Sequence, residues 1–574
     1  MNLTKFISEV EQITKLYDRN QLQTAIHEIA RTLPESMRND FLRQIKECGQ
    51  KKVTEKADSS SKWKKQYEKW NVYLTKIENE EVYLNEIYND EYDEWYNSSV
   101  EEILYEDPEE IGEQLSVICQ FIHQCTDASE YRLAEELGRR LLSIKIPTDG
   151  EYGGETLELS EMIYYELMQT DLKKVVLDIL YACYQIEKGK KRVEALYEIW
   201  SNARMYELRL ENLMQYAEDE LEGFDVFLKE WIAYLGTQND RLAEKLFQEA
   251  VELTNDIDTK FEQAKKYADF HPGLYRNLLK EPGIDTKTAL KIGKDGMIRI
   301  DKKFRVRSEV ALKTAEYASE CGMGKEFIEN CYIEAFRSDT NAVNYLRAFI
   351  NSRDREKCRQ DLKNIIVNVK RVEKRSDIWC SDMSYLRADE LDENIVDQNM
   401  LYILKILDGN FTETIKAGMS GKPMLGWTGS FMKPGIAIFL LCIYDGKKTD
   451  AGIREMIRIA EQACGFRQQN TEDLMFYNTF LQWKKETPVV ETQKRKILYY
   501  LDKIMVERTD AIIEGNHRKY YEECAAYIAA IGEAKEAFGE PNAKQKDLSE
   551  YAARYPRRTA FKGALQSFGW VKKK

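Results

Sequence analysis

The sequence predicts an all-α fold, an α-solenoid of stacked helical hairpins, and three observations carry that prediction. The first is the stretch Phe227–Asp256, FLKEWIAYLGTQNDRLAEKLFQEAVELTND. It reads as two helices joined by a polar turn, the second placing Ala243, Phe247 and Ala250 on one face beside Leu242, Leu246 and Val251. Small residues at Ala243 and Ala250 let a neighbouring helix approach closely, and Phe247 fills the space between them. The second observation is the scarcity of breakers: 10 prolines and 29 glycines in 574 residues allow long uninterrupted helices. The third is the weakness of any strand signal. The only strand-like run, Ile365–Val372 (IIVNVKRV), has no companion nearby, and an isolated strand is not viable. It is therefore predicted as helix.

Residues 1–50 are expected to form N-terminal helices, since Leu22, Ala25, Ile26 and Ile29 recur at helical spacing before Pro34. Residues 51–110 are predicted as a linker followed by an acidic-aromatic segment. The part 51–66, KKVTEKADSSSKWKKQ, is polar, lysine-rich and interrupted by Ser59–Ser61, the composition of an exposed loop. The part 78–110 holds many acids, no Lys or Arg, and the aromatics Tyr83, Tyr88, Tyr92, Trp95, Tyr96 and Tyr105. One reading is a strip that docks on a basic partner or mimics a nucleic-acid surface. The other is a solvated segment whose tyrosines pack on the chain's own lysine-rich stretch at 51–69, and this is favoured because charge runs are usually solvated surface.

Residues 111–418 are predicted as central helical repeats. Glu130–Leu142 has Ala134 and Leu141 seven apart, and a turn at Pro147–Gly154 ends that unit. Val310–Asn341 carries a further copy, with Gly322 and Gly324 in the turn and Tyr332 and Ala335 in the second helix. Residues 419–574 are predicted as C-terminal helical repeats with a basic tail. The glycine- and proline-bearing stretch Met419–Gly435 opens them as a mobile, protease-sensitive break, and Ile497, Leu498, Leu501, Ile504 and Met505 mark an amphipathic helix beyond it.

Counted from Ala243, Phe247 and Ala250, Tyr234 and Phe227 fall where the tetratricopeptide repeat places its first-helix tyrosine and tryptophan. The stretch 227–256 thus resembles a degenerate tetratricopeptide repeat, with Trp231 in place of the usual small residue and Asn255 in place of a terminal proline. Residues 308–341 are a partial second copy. More loosely, 331–349 and the ending YPRRTAFKGALQSFGW are similar to the helical region of bacterial SWIM zinc-finger proteins. The C-x-C…C-x-H finger of those proteins has no counterpart here, so the resemblance implies a helical scaffold and no metal site.

Charged residues at 32% and hydrophobic ones at 43% are interspersed, and mean hydropathy is −0.58. The longest apolar run, Gly435–Tyr444, is about half of the ~20 residues a membrane-spanning helix needs. The N-terminal MNLTKFISEVEQITKLYDRN has interspersed acids and no apolar core of a signal peptide, which predicts a cytoplasmic protein. The eleven cysteines are odd in number and scattered, without a C-x-x-C pair, so reduced buried thiols are expected rather than a disulfide framework. A net charge of −14 opposes non-specific nucleic-acid binding over the whole surface.

Few patterns carry chemistry. GMSGKP (418–423) has Pro423 where a phosphate loop needs Ser or Thr, and IGKDG (292–296) lacks the motif's ending as well. Of the four histidines, His271 precedes Pro272 and reads as a helix-boundary residue. Cys119 and His123 stand four apart in CQFIHQC, with Cys125 close by. That spacing suits a thiol–imidazole pair or two metal ligands, but a buried cysteine beside a satisfied histidine is the favoured reading. The tail 551–574 contains Arg554, Arg557, Arg558, Lys562 and Lys572–Lys574 with no acid, interleaved with Tyr555, Phe561, Phe568 and Trp570. Arginines with aromatics can grip phosphates and stack bases, yet the same residues can cap a last repeat while their charges face water. The sequence therefore predicts a non-enzymatic helical-repeat scaffold for a protein partner, without cofactor or metal. The alternative is a nucleic-acid-associated accessory protein using the basic C-terminal segment. Partner-binding residues, if partners attach outside the repeat surface, are expected at Tyr92, Trp95, Arg557, Arg558 and Trp570.

Overall fold

The computed structural model describes residues 62–93, 98–150, 154–205, 207–217, 221–254, 256–372, 393–466 and 475–572, together with 19–32 and a few positions flanking that helix; side chains of 88–103 are outside the description. The chain is mostly helical, as expected, and carries a small sheet besides. It divides into two compact units, Met1–Phe227 and Leu228–Lys574.

Local sequence explains where most helices begin. Asp171, Asp240, Asp285, Asp354 and Asp397 each accept a backbone N–H two or three residues on, which satisfies donors that the first helical turn leaves open. In the first unit the longer helices come in the order Ile111–Asp127, Tyr131–Leu142, Leu172–Ile186 and Lys190–Ala203, with the short helix Leu159–Tyr164 before the third. Leu172–Ile186 packs on Ile111–Asp127, on Tyr131–Leu142 and on Lys190–Ala203. Gly138 permits one of these approaches: a Cβ there would lie 2.3 Å from Ile179 Cγ1. The helix Arg19–Thr32 forms where the apolar period predicts it, although Ile26 and Ile29 remain exposed.

The segment 51–110 differs most from expectation. A helix covers 62–78, and the acidic part folds as β1 (Leu84–Asp93) and β2 (Ser98–Glu106). The two strands pair antiparallel through nine consecutive positions, from Asn85↔Glu106 to Asp93↔Ser98. β3 (Ile146–Asp149) and β4 (Thr156–Leu157) complete a sheet of order β2-β1-β3-β4, in which β1 runs parallel to β3 at Leu84 and Asn85 only. Tyr, Ile and Val suit a pleated surface, and the density of acids hid that preference in the sequence. The expected turn at Pro147–Gly154 is likewise built around strand β3. Ile365–Val372 divides: the helix Arg355–Asn368 takes its first part, and β5 (Lys370–Val372) pairs parallel with β6 (Ile395–Asp397). That partner lies too far along the chain for a local reading to find.

In the second unit, helices from Ile257–Lys266 to Arg355–Asn368 pack in chain order, each on its successor. Several also touch the next but one, as Gly273–Leu279 touches Val306–Glu320 and Lys325–Ser338 touches Arg355–Asn368. Ala243, Phe247 and Ala250 are fully buried, and Phe247 stacks on His271 at 4.3 Å and meets Tyr267 edge-on. In the stretch expected as a second copy, Gly322 turns the chain at φ +64° between Val306–Glu320 and Lys325–Ser338, which pack together. Beyond Gly435 helices distant in the chain pack together as well as chain neighbours. Met432–Ile443 and Tyr521–Ala537 are buried along most of their lengths, and the first packs on Ala451–Ala463, Glu491–Glu514 and Tyr521–Ala537.

Met419–Gly435 is not an open break. Met419, Trp427, Phe431 and Met432 are buried, and Gly421, Gly426 and Gly429 take the left-handed backbone conformation that a folded-back loop requires. Arg508 holds the loop from below: its guanidinium lies 4.3 Å from the Trp427 ring centroid, donates to the Met424 carbonyl and meets Glu523 at 3.1 Å. No helix among the described residues is long and apolar enough to cross a membrane.

Candidate functional site

The first chemical cluster lies in the first unit and includes the Cys119–His123 pair. Helix Ile111–Asp127 presents His123, and Leu172–Ile186 brings Asp178 to it, with His123 Nδ1 2.9 Å from Asp178 Oδ1. Tyr216, at the end of Leu210–Tyr216, donates its hydroxyl to the same oxygen. Asp178 is fully buried, and its other carboxylate oxygen has no hydrogen-bond partner. Burial raises the Asp178 carboxyl above the usual range, while the hydrogen bonds from Tyr216 and His123 pull it back down. Toward solvent, His123 Nε2 stands 3.5 Å from Asp127.

Cys119 and His123 are thus a buried cysteine and a hydrogen-bonded histidine, as in the favoured reading of their spacing. Burial pushes the Cys119 thiol up to about 12, so it is a neutral, inert group. The partner of His123 is Asp178, 55 positions away. Its sequence signal was a lone acid inside the apolar run VVLDILYACY, since an acid buried on a helix face requires a donor. The arrangement orients an imidazole; among the described residues no three His, Cys, Asp or Glu side chains gather to hold a metal ion.

The second cluster is a cleft of about 500 Å³ in the second unit, lined among others by Lys302, Arg337, Thr340, Ile365, Lys370 and Asn394. Its floor is hydrogen-bonded. Asn394 accepts from the Thr340 N–H at 3.0 Å and donates to the Arg337 carbonyl at 2.9 Å, which fastens the chain before β6 to the turn after Lys325–Ser338. Behind the turn, buried Arg307 donates to Ser338 Oγ and to the Met297 carbonyl, and Arg347 donates to Asn344. The cleft carries both signs of charge, with Lys370 bound to Glu393 at 2.6 Å.

The expected partner-binding residues are placed as follows. Tyr92 lies in β1 in register with Ser99, and Trp95 is outside the described residues. Arg558 donates to the Ile513 carbonyl at 3.0 Å and to Asn516 at 2.9 Å, at the C-terminal end of Glu491–Glu514. Arg554 and Tyr555 both hold Asp510. Phe561 is fully buried and Trp570 packs at the edge of the same core cluster. Arg557 is exposed. Tyr92 belongs to the first unit and the tail to the second.

The cysteines that are described are free, and all but Cys321 are buried. IGKDG lies inside the helix Thr286–Arg299 and offers no loop to cradle a phosphate. Compared with known proteins, the chain matches no family and no curated protein.

Proposed function

We propose that this chain is a non-enzymatic helical-repeat scaffold, tetratricopeptide-like in its central part, that binds a protein partner. The observation that carries this reading is the order of packing from Ile257 to Asn368. Helices there contact their successors and, repeatedly, the helix after that, as stacked hairpins do. The residues that set the repeat phase, Ala243, Phe247 and Ala250, are the buried ones. The basic tail supports the nucleic-acid alternative less well, because Arg554 and Arg558 are spent on internal hydrogen bonds.

The full chain used as bait in nuclease-treated native lysate tests the proposal. The expected result is one protein enriched near stoichiometry and retained after nuclease. Capture that depends on intact nucleic acid would transfer support to the accessory-protein reading.

A further inference from the structure

The β1–β2 ribbon has an edge that its surroundings do not explain. β2 is the outer strand of its sheet and, among the described residues, pairs only with β1. Nine residues of strand extend about 30 Å. Beyond Asn85, β1 also lacks a second described partner strand, so most of the ribbon is two-stranded, an arrangement that is marginal in water by itself. Proteins usually blunt such an edge with charged side chains, lysine above all, with proline or with a bulge, and the only charges of β2 are its glutamates. β2 has no Lys and no Pro, and its pairing with β1 is unbroken.

Two observations describe what would fit there. Residues 78–110 contain 14 acids and no Lys or Arg, and the registers set Asp90 opposite Glu101 and Asn89 opposite Glu102. Charge of one sign along a segment repels itself and attracts cationic partners. At the foot of the edge, Tyr105 packs on Tyr165 at 4.8 Å and Tyr165 on Tyr164 at 5.1 Å, and Tyr164 is 79% exposed. Glu86, Glu155 and Glu161 surround Tyr105 electrostatically. The cross-strand pair Ile87–Leu104 is exposed at 38% and 43%. Exposed tyrosine rings within a negative field receive guanidinium groups well.

We propose that the outer edge of β2 takes up an extended Arg/Lys-rich segment of a protein partner as an added strand, with Tyr164 and Tyr165 receiving its first cationic side chains. This rests on the protein-binding reading above and specifies the partner's chemistry. Main-chain pairing supplies affinity, and the acids and tyrosines supply selection. A second copy of this chain is disfavoured as occupant, because two strips of one-sided negative charge repel.

The test uses the full-length chain and a fluorescein-labelled nonapeptide of alternating Arg and Thr, followed by anisotropy at physiological salt. The control is the same peptide methylated on every backbone nitrogen, which keeps the charge and removes the donors. The unmethylated peptide is expected to bind at least about tenfold tighter than the control. Glu101→Lys with Glu102→Lys is expected to weaken it by a similar factor, and Tyr164→Ser to weaken it less, with unchanged circular dichroism. Equal binding of both peptides would reduce the site to bulk charge and overturn the proposal. Binding that emerges only when residues 51–61 are deleted would assign the edge to the chain's own lysine-rich segment. A dimer that the Glu→Lys pair abolishes would assign it to a second copy. Should those variants still capture the partner in lysate, the scaffold reading stands and this site fails alone.

Discussion

His271 and Arg558 show how far single residues were readable. Before Pro272, His271 reads as a helix-boundary residue, and it does precede the helix Gly273–Leu279. Its fully buried ring, stacked on Phe247 with Nε2 2.9 Å from the Leu235 carbonyl, needed the fold. Burial lowers its pKa from the ordinary value of 6.5 to about 4. Between those values the unfolded chain takes up a proton that the folded chain refuses. The neutral ring's contribution is thus complete above about pH 6.5, falls as pH drops, and levels off below about 4, a loss of up to ~3 kcal/mol. The stability gap between the wild type and His271→Asn should therefore narrow from pH 7.5 to pH 4.5 in urea titrations. The comparison of two proteins matters, because Asp178 and Asp339, raised by burial, push the pH dependence the opposite way. At the tail, Arg558→Ala should cost about 1–2 kcal/mol through the lost bonds to Ile513 and Asn516. Arg557→Ala should leave the melting temperature unchanged. Equal effects of the two substitutions would remove the distinction between a capping arginine and an exposed one.

At the scale of elements, helix existence was legible from the apolar period, as in Arg241–Glu252, to which the structure adds the cap at Asp240. The close approaches give a test. Gly138→Leu would drive side-chain atoms into Ile179, and Ala243→Leu would overfill a fully buried position, each costing roughly 1–3 kcal/mol. Melting like the parent would show that helices do not meet at those residues. Met419–Gly435 misled the sequence reading because glycine and proline look the same in a mobile break and in a folded-back loop. Arg508, 84 positions beyond Met424, decides between them. Limited chymotrypsin digestion of the native chain should spare Trp427 and Phe431, both buried, and the Arg508→Ala variant should be cut there. The ribbon was hidden for a related reason: strand propensity is a statement about packing, and the acids of 78–110 gave no local sign of a partner strand.

For the whole molecule, two compact units predict that unfolding is not two-state. Calorimetry should give a calorimetric enthalpy larger than the van't Hoff enthalpy, and circular dichroism a helix-dominated signal. An enthalpy ratio of one would mean that the units unfold together. The sequence by itself determined the helical class, the buried face of Phe247 and its small neighbours and the buried state of most described thiols, because periodicity and apolar burial act over a few residues. Only the tertiary structure decided that Asp178 orients His123, that Arg508 closes the glycine-rich loop, that Arg558 caps a helix 45 positions earlier and that the acidic segment forms a sheet edge. The first three join groups 45 to 84 positions apart in the chain. No local pattern encodes such a pairing, because its free energy comes from burying a charge or a strand edge against a partner that only the folded chain brings near.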